Sequence, residues 1–276
     1  MNSISNFYLM KSMNFKKSIS LFLGVIFMGM LFPICYANNS TEALKPTFTT
    51  QREQHYGVHY LMGHFNPKKM PGFVKIPRKY ASRSGMYLRE EALDAFIKMR
   101  AAARKEGVYL KIRSATRNFS HQKEIWEKKW LGKRQLSDGT NVARDIANPK
   151  QKALKILQYS SMPGTSRHHW GTDIDLNSFN NKWFEKGKGL ALFQWMNANA
   201  AKYGFYRPYT VKNATRPYGY NEEKWHWSYA PLSAPMTQDA QRTLRDHHIN
   251  GFLGSETAAQ IGVVQHYILG VNESCR

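Results

Sequence analysis

The sequence predicts an α+β chain folded as one domain. Three observations predict it. The chain has 276 residues, enough for one sizeable core. Hydrophobic residues make up 42% and aromatics 13%, a globular composition rather than a disordered one. Stretches of helical periodicity alternate with short stretches of strand periodicity, and there is no internal repeat or low-complexity tract.

Residues 1–37 read as an export signal and not as fold. Lys16 and Lys17 precede an apolar run from Ile19 to Phe32, and Cys35-Tyr36-Ala37 before Asn38 suits a cleavage site. The run is short for a membrane span. The expectation is cleavage near Ala37-Asn38, no transmembrane segment in the mature chain, and a periplasmic or extracellular location. Cys275 is then the only cysteine, which excludes an internal disulfide, and its place beside the last residue suits packing.

Residues 38–84 read as a polar lead-in followed by an aromatic wrapping segment, interrupted by Pro67, Pro71 and Pro77, with a short strand at 72–76. From Leu88 to Glu106 the pattern is helical, because Ala92, Ala95, Phe96, Met99 and Ala103 recur at three- and four-residue spacings before Gly107. Residues 108–112 read as a strand. Ser120 is the expected cap of a helix carrying Ile125, Trp126 and Trp130 and ending at Gly132. Residues 133–147 read as a loop. Asn148-Pro149 starts a helix that stops at Pro163-Gly164, with proline at the first helical position.

Thr172 to Leu176 alternates polar and apolar, as a half-buried strand does, which puts Asp173 and Asp175 on one face. A helix at 189–202, a strand at 204–206, a Pro/Gly/Tyr-rich turn at 215–220 and a strand at 223–229 follow. The tail at 236–272 reads as two helical pieces split at Gly251–Gly254, with Ser255 capping the second and His247-His248 at a solvated helix end.

The formal net charge is +21. Such a surface adheres to polyanions, and anionic wall polymers or membrane surfaces suit it as well as nucleic acid does. Lys and Arg are spread along the chain rather than gathered in a stripe, so no dedicated nucleic-acid site is expected.

The densest chemistry lies between Ser166 and Asp175. His168 can offer an imidazole nitrogen and Asp175 a carboxylate oxygen, both ordinary zinc ligands. Catalytic zinc usually takes three protein ligands and keeps one position for water. A third ligand and a base are therefore required elsewhere. Trp225-His226-Trp227 supplies the ligand, since a histidine between two tryptophans on a strand points away from both rings. Glu223 stands three residues earlier as the candidate base, and the segment must bend if Glu223 and His226 serve one site. The chemistry is metal-assisted hydrolysis, with Glu223 moving a proton from water to the leaving amine. Arg117, in the turn between a strand and a helix, can supply a cation for the oxyanion or an anionic substrate end. Gln122 lies close to it at the helix start.

Three segments together resemble the zinc D-alanyl-D-alanine carboxypeptidases of the VanY type: S-x-x-R-x-x-x-x-Q at 114–122, S-x-H-x-x-G-x-x-x-D at 166–175 and E-x-W-H at 223–226. The resemblance covers residues 85–230 and leaves a helical extension at 231–276 outside it. It implies the small α+β zinc-peptidase fold, with a central antiparallel sheet flanked by helices. It implies one zinc ion held by His168, Asp175 and His226, with the zinc-bound water activated by Glu223. Arg117 would stabilise the oxyanion or orient the substrate, and Gln122 and Ser166 would contact it. The implied reaction removes the terminal D-alanine of peptidoglycan stem peptides, which agrees with an export signal and a basic surface facing an anionic wall. An L,D-carboxypeptidase, a stem-peptide endopeptidase and a non-catalytic zinc-containing wall-binding protein are the alternatives. Glu223 argues against the last, because binding alone needs no base.

One position departs from the family. Two residues before the aspartate ligand the family is often small and apolar, whereas this chain has Asp173. The expectation is a substrate contact, through a substrate amine, or a pair with Arg167. His168 rather than His169 is the expected ligand, because the spacing to Gly171 and Asp175 selects it.

Overall fold

A computed structural model of the chain describes residues 55–276. The expected export signal and the polar lead-in lie outside the described residues. In chain order the elements are α1 (Val58–Leu61), β1 (Phe73–Lys75), β2 (Tyr87–Arg89), α2 (Glu90–Lys105), β3 (Ile112–Ser114), α3 (Phe119–Trp130), α4 (Val142–Asp145) and α5 (Pro149–Ile156). They continue with β4 (Asp173–Leu176), α6 (Gly187–Asn199), β5 (Phe205–Tyr206), β6 (His226–Tyr229), α7 (Ala230–Thr243) and α8 (Thr257–Ile261). The fold is α+β. Its centre is an antiparallel sheet of order β3-β4-β6-β5, and β1 and β2 form a separate antiparallel pair.

The period-two rule sorts the side chains of the two central strands. Ile174, Leu176 and Trp227 enter one core with Ile112 of β3, Phe96 and Met99 of α2, and Leu192 and Met196 of α6. Asp173, Asp175, His226 and Ser228 take the opposite face. That face is also covered, by a second core drawn from α1, α3, α5, α7 and α8, including Leu61, Trp126, Ile156, Met236 and Ile261. All four residues of β4 are therefore buried, and the strand is fully rather than half buried. Each fully buried large apolar side chain of these cores contributes about 1.5–3 kcal/mol relative to an exposed one.

Several element boundaries differ from the sequence reading, each for a local reason. Residues 87–89 pair with 73–75, so the first long helix begins at Glu90 instead of Leu88. The strand expected at 108–112 lies at 112–114. Beyond Leu176 the partner strand turns away at Asn177, which has φ 56°, and the Asn177 side chain accepts from the Lys111 N–H at 2.9 Å. Asn118, not Ser120, caps α3, its side chain accepting from the His121 N–H at 3.0 Å. Asn141 caps the short α4 inside the expected loop. The last strand starts at His226, because 223–226 is a turn. α8 follows Glu256 in helical conformation, and Ser255 does not cap it.

The described residues form one compact unit, so residues 55–84 and the helices after 230 fold with the middle of the chain. No helix among the described residues is long and apolar enough to cross a membrane. Cys275 is fully buried, in keeping with a packing role.

The turn that carries His168 requires a glycine at position 171. Gly171 ends the 3₁₀ turn Arg167–Trp170 with φ 75°, and a Cβ there would lie 2.2 Å from the Phe73 ring. A left-handed L-residue costs about 1–2 kcal/mol before any clash. Gly171→Ala is expected to lower the melting temperature by about 4 °C or more, measured by thermal denaturation of the metal-free protein.

Candidate metal centre

The sheet register brings the first polar groups together. Asp175 of β4 lies opposite Ser114 of β3 on one side and opposite His226 of β6 on the other. His226 Nδ1 stands 3.3 Å from Asp175 Oδ1. Arg117, just beyond β3, donates through Nη1 to Ser114 Oγ at 3.1 Å and lies 3.8 Å from Asp175 Oδ2.

The 3₁₀ turn supplies the next group and separates the two adjacent histidines. His168 Nε2 approaches Asp175 Oδ2 at 3.1 Å, and its ring centroid lies 4.6 Å from that of His226. His169 turns the other way into backbone: its Nδ1 lies 2.6 Å from the Arg117 carbonyl, and its Nε2 accepts from the Gly164 N–H at 3.1 Å. Burial pushes both imidazoles down, His168 to about 4 and His169 to about 3. Both rings are neutral at pH 7, but only His168 keeps its acceptor nitrogen free of a hydrogen bond.

Glu223 joins the cluster because the chain bends. The His226 N–H bonds to the Glu223 carbonyl at 3.3 Å, closing a turn that brings Glu223 Oε2 within 3.1 Å of His226 Nδ1. This is the bend that a shared site demanded. Burial raises the Glu223 carboxyl above its ordinary value, and the His226 imidazole opposes that rise.

One ligand atom each from His168, Asp175 and His226 lie within 4.8 Å of one another, and all three residues are buried. Both His168 nitrogens and Asp175 Oδ1 are buried without a hydrogen-bond partner. Buried polar atoms are rarely left so, and each costs about 1–3 kcal/mol. A divalent cation would engage them, so the residues present fit a metal ion.

Asp173 does not line the cavity beside this cluster. It lies behind His226, fully buried, and its Oδ2 is 2.7 Å from His226 Nε2. Arg167 Nε donates to the same oxygen at 3.2 Å, while Ser228 and Thr172 hydroxyls donate to Oδ1, each at 2.7 Å. The substrate contact expected at Asp173 is therefore not what this arrangement offers, since both oxygens are bonded within the protein and buried away from the cavity. The pair with Arg167 is what forms. Arg167 in turn donates to Thr237 of α7 and to Ser228, both at 2.8 Å. Burial alone would depress the His226 imidazole, but Asp173, Glu223 and Asp175 around it lift it to about 10. Burial likewise opposes ionisation of Asp175, and the His168 and His226 rings hold it down to about 2.

A cavity of about 860 Å³ opens on the cluster. His168, Asp175, Glu223, His226, Arg117 and Gln122 all line it. Gln122 donates through Nε2 to the Ser161 carbonyl at 2.8 Å, and its Oε1 is buried without a partner. Ser166 is buried at the start of the 3₁₀ turn and is not in the cavity wall.

Sequence reasoning missed Tyr209 and Tyr220, which line the cavity, Tyr209 with its ring centroid 4.8 Å from that of His226. Their only signal was a Tyr/Pro/Gly-rich stretch without a motif. The Ser228–Thr237 support of Arg167 was also missed, since it joins residues distant in sequence.

Comparison with known proteins adds the following. The family model described as "VanY: D-alanyl-D-alanine carboxypeptidase" matches residues 85–232. "Putative carboxypeptidase YodJ" of Bacillus subtilis (strain 168) is 32% identical over 165 residues, covering 58% of this chain and 53% of that protein. A "D-alanyl-D-alanine carboxypeptidase" of Enterococcus faecalis (strain ATCC 700802 / V583) is 28% identical over 149 residues, covering 54% of this chain and 50% of that protein. The chain thus spans about half the length of these curated relatives. Among solved structures, "VanYB in complex with D-Alanine-D-Alanine" aligns with TM-score 0.45 at 22% identity, covering 62% of this chain and 83% of that one.

Proposed function

The chain belongs to the VanY family of D-alanyl-D-alanine carboxypeptidases, and on that premise we propose that it is an exported zinc-dependent D,D-carboxypeptidase acting on peptidoglycan stem peptides. The observation that carries the reading is the buried His168, Asp175 and His226 set, with unpartnered ligand atoms and Glu223 beside it, at the wall of a substrate-sized cavity. Two imidazoles and one carboxylate form a donor set suited to catalytic zinc.

In this reading one zinc ion is held by His168, Asp175 and His226. When bound it supplies a Lewis acid that polarises the scissile carbonyl and makes water acidic. Loss of the His226 proton frees the Glu223 carboxylate, which accepts a proton from the attacking water and returns it to the leaving amine. Arg117, on the cavity wall beside Asp175, faces the negative charge that develops on the carbonyl oxygen. The unpartnered Gln122 oxygen accepts from a substrate N–H. Asp173 holds the His226 ring by Nε2, which directs Nδ1 toward the cluster.

The test is incubation of purified protein with a muropeptide ending in D-Ala-D-Ala, with and without chelator, followed by mass spectrometry. Loss of one alanine that chelator abolishes is the expected result. An internal cut, or removal of D-Ala only from a tetrapeptide, would replace the D,D assignment.

Metal binding should also release protons. His226, lifted to about 10, is protonated at pH 7, whereas His168 at about 4 and Asp175 at about 2 are not. Zinc binding at pH 7 is expected to release about one proton from the ligands, read by calorimetry in buffers of different ionisation enthalpy. Release of none would remove His226 from the ligand set.

A further inference from the structure

The cavity is far larger than one terminal alanine needs, and its wall carries more positive than negative charge. Some of that charge is neutralised locally: Lys155 pairs with Asp138 at 2.6 Å and Arg117 with Asp175. Lys129 and Arg134 also line the cavity, and among the described residues neither forms an ion pair with a carboxylate, although the Glu223 charge is felt at Lys129 and the Arg134 charge at Glu124.

The position of Lys129 follows from helix geometry. Gln122, Ile125 and Lys129 all line the cavity from one face of α3. Seven residues of helix separate Gln122 from Lys129, about 10 Å along the axis. An extended peptide spans about 3.3–3.6 Å per residue, so a group met at Lys129 lies some three residues from one met at Gln122. The leaving side of a carboxypeptidase substrate ends after one residue. A group that far away must belong to the acyl side.

The local chemistry selects an anion. The Lys129 ammonium donates to the Ser160 hydroxyl. Burial pushes it down to about 8, with Arg134 and Arg117 adding to the fall and Glu223 opposing it. A partly buried cation with no carboxylate in direct contact is costly, and one from a substrate would both neutralise it and make a charge-assisted hydrogen bond.

We propose that Lys129, with Arg134 beside it, binds a free carboxylate on the acyl side of the substrate, so that the enzyme selects stem peptides with an unamidated internal acid. This assignment rests on the hydrolase reading above for its substrate class.

The test uses two synthetic pentapeptides ending in D-Ala-D-Ala, identical except that an internal glutamyl residue carries a free carboxylate or a carboxamide. Binding is measured by calorimetry on the full zinc-loaded chain in a Glu223→Ala background, with Lys129 native or changed to Met or Arg. Turnover of both peptides by the native chain is followed in parallel. The carboxylate peptide is expected to bind about tenfold tighter than the carboxamide to the Lys129 protein. Lys129→Met should bind both alike, and Lys129→Arg should keep a preference. Equal affinity with Lys129 present, a preference that survives Lys129→Met, or equal weakening of both peptides by that change overturns the proposal. A carboxylate preference without turnover of either peptide would retain this site and reject the proposed hydrolysis. Turnover of both with equal affinities would do the reverse.

Discussion

Glu223→Ala is expected to lower turnover of a D-Ala-D-Ala peptide by about 10²–10⁴-fold while bound zinc stays in place. The two effects separate because Glu223 lies outside the set His168, Asp175 and His226 whose ligand atoms converge. Its contact with the cluster is one carboxylate oxygen, 3.1 Å from His226 Nδ1. Glu223→Gln, which keeps the shape and removes the basicity, should lose as much activity. Peptide hydrolysis read by chromatography, with zinc counted by elemental analysis, checks both. Unchanged turnover, or loss of zinc on the Gln substitution, would falsify the assignment of Glu223 as base. The pH dependence has a definite sign. Burial raises the Glu223 carboxyl above its ordinary 4.5. A base works deprotonated, so activity should fall as pH drops through a value above 4.5, sooner than for an exposed glutamate.

Asp173 carries the second large expectation, and it has two parts. The carboxylate orients His226, and removing such a partner of a metal ligand typically costs 10–100-fold in metal affinity. Asp173→Ala should weaken zinc binding by about that factor, measured by competition with a chromophoric chelator. The same change leaves Arg167, whose side chain has 0% exposure, without its counter-charge. Breaking a buried pair from one side costs about 3–5 kcal/mol, so the melting temperature should fall sharply as well. Adding Arg167→Met separates the two effects. Removal of both charges should recover much of the stability and none of the zinc affinity. If stability and affinity return together, Asp173 acts through folding and not through His226.

Much of the site was legible in the chain because its residues sit on regular periods. The alternation of residues 172–176 put Asp173 and Asp175 on one face, and Trp-His-Trp put His226 on the face opposite Trp227. The spacing within 166–175 selected His168 over His169, and the turn geometry explains why: one imidazole faces the cluster while backbone groups occupy both nitrogens of the other. The bend between Glu223 and His226 could be stated as a requirement, although no local residue announced it. Asp173 was misread as a substrate contact because the pattern cannot say which polar face is covered. The caps at Asn118 and Asn141 were overlooked where a neighbouring serine or a polar run looked equally suitable, since capping preferences among short polar residues are nearly degenerate.

By itself, the sequence determined the α+β class, the polar and apolar faces of the central strands, and the side chains able to serve as ligands, base and cation. These follow from periods of two and 3.6 residues and from side-chain chemistry, which are local properties. Only the tertiary structure decided which of those groups stay unpartnered. The α7 hydroxyl of Thr237 anchors Arg167, Arg167 and Ser228 occupy Asp173, and Asp173 holds the far nitrogen of His226. All of these bonds except that between Arg167 and Asp173 join residues more than fifty positions apart in the chain. Burial then gives the atoms left over, on His168 and Asp175, their cost and their affinity for a cation.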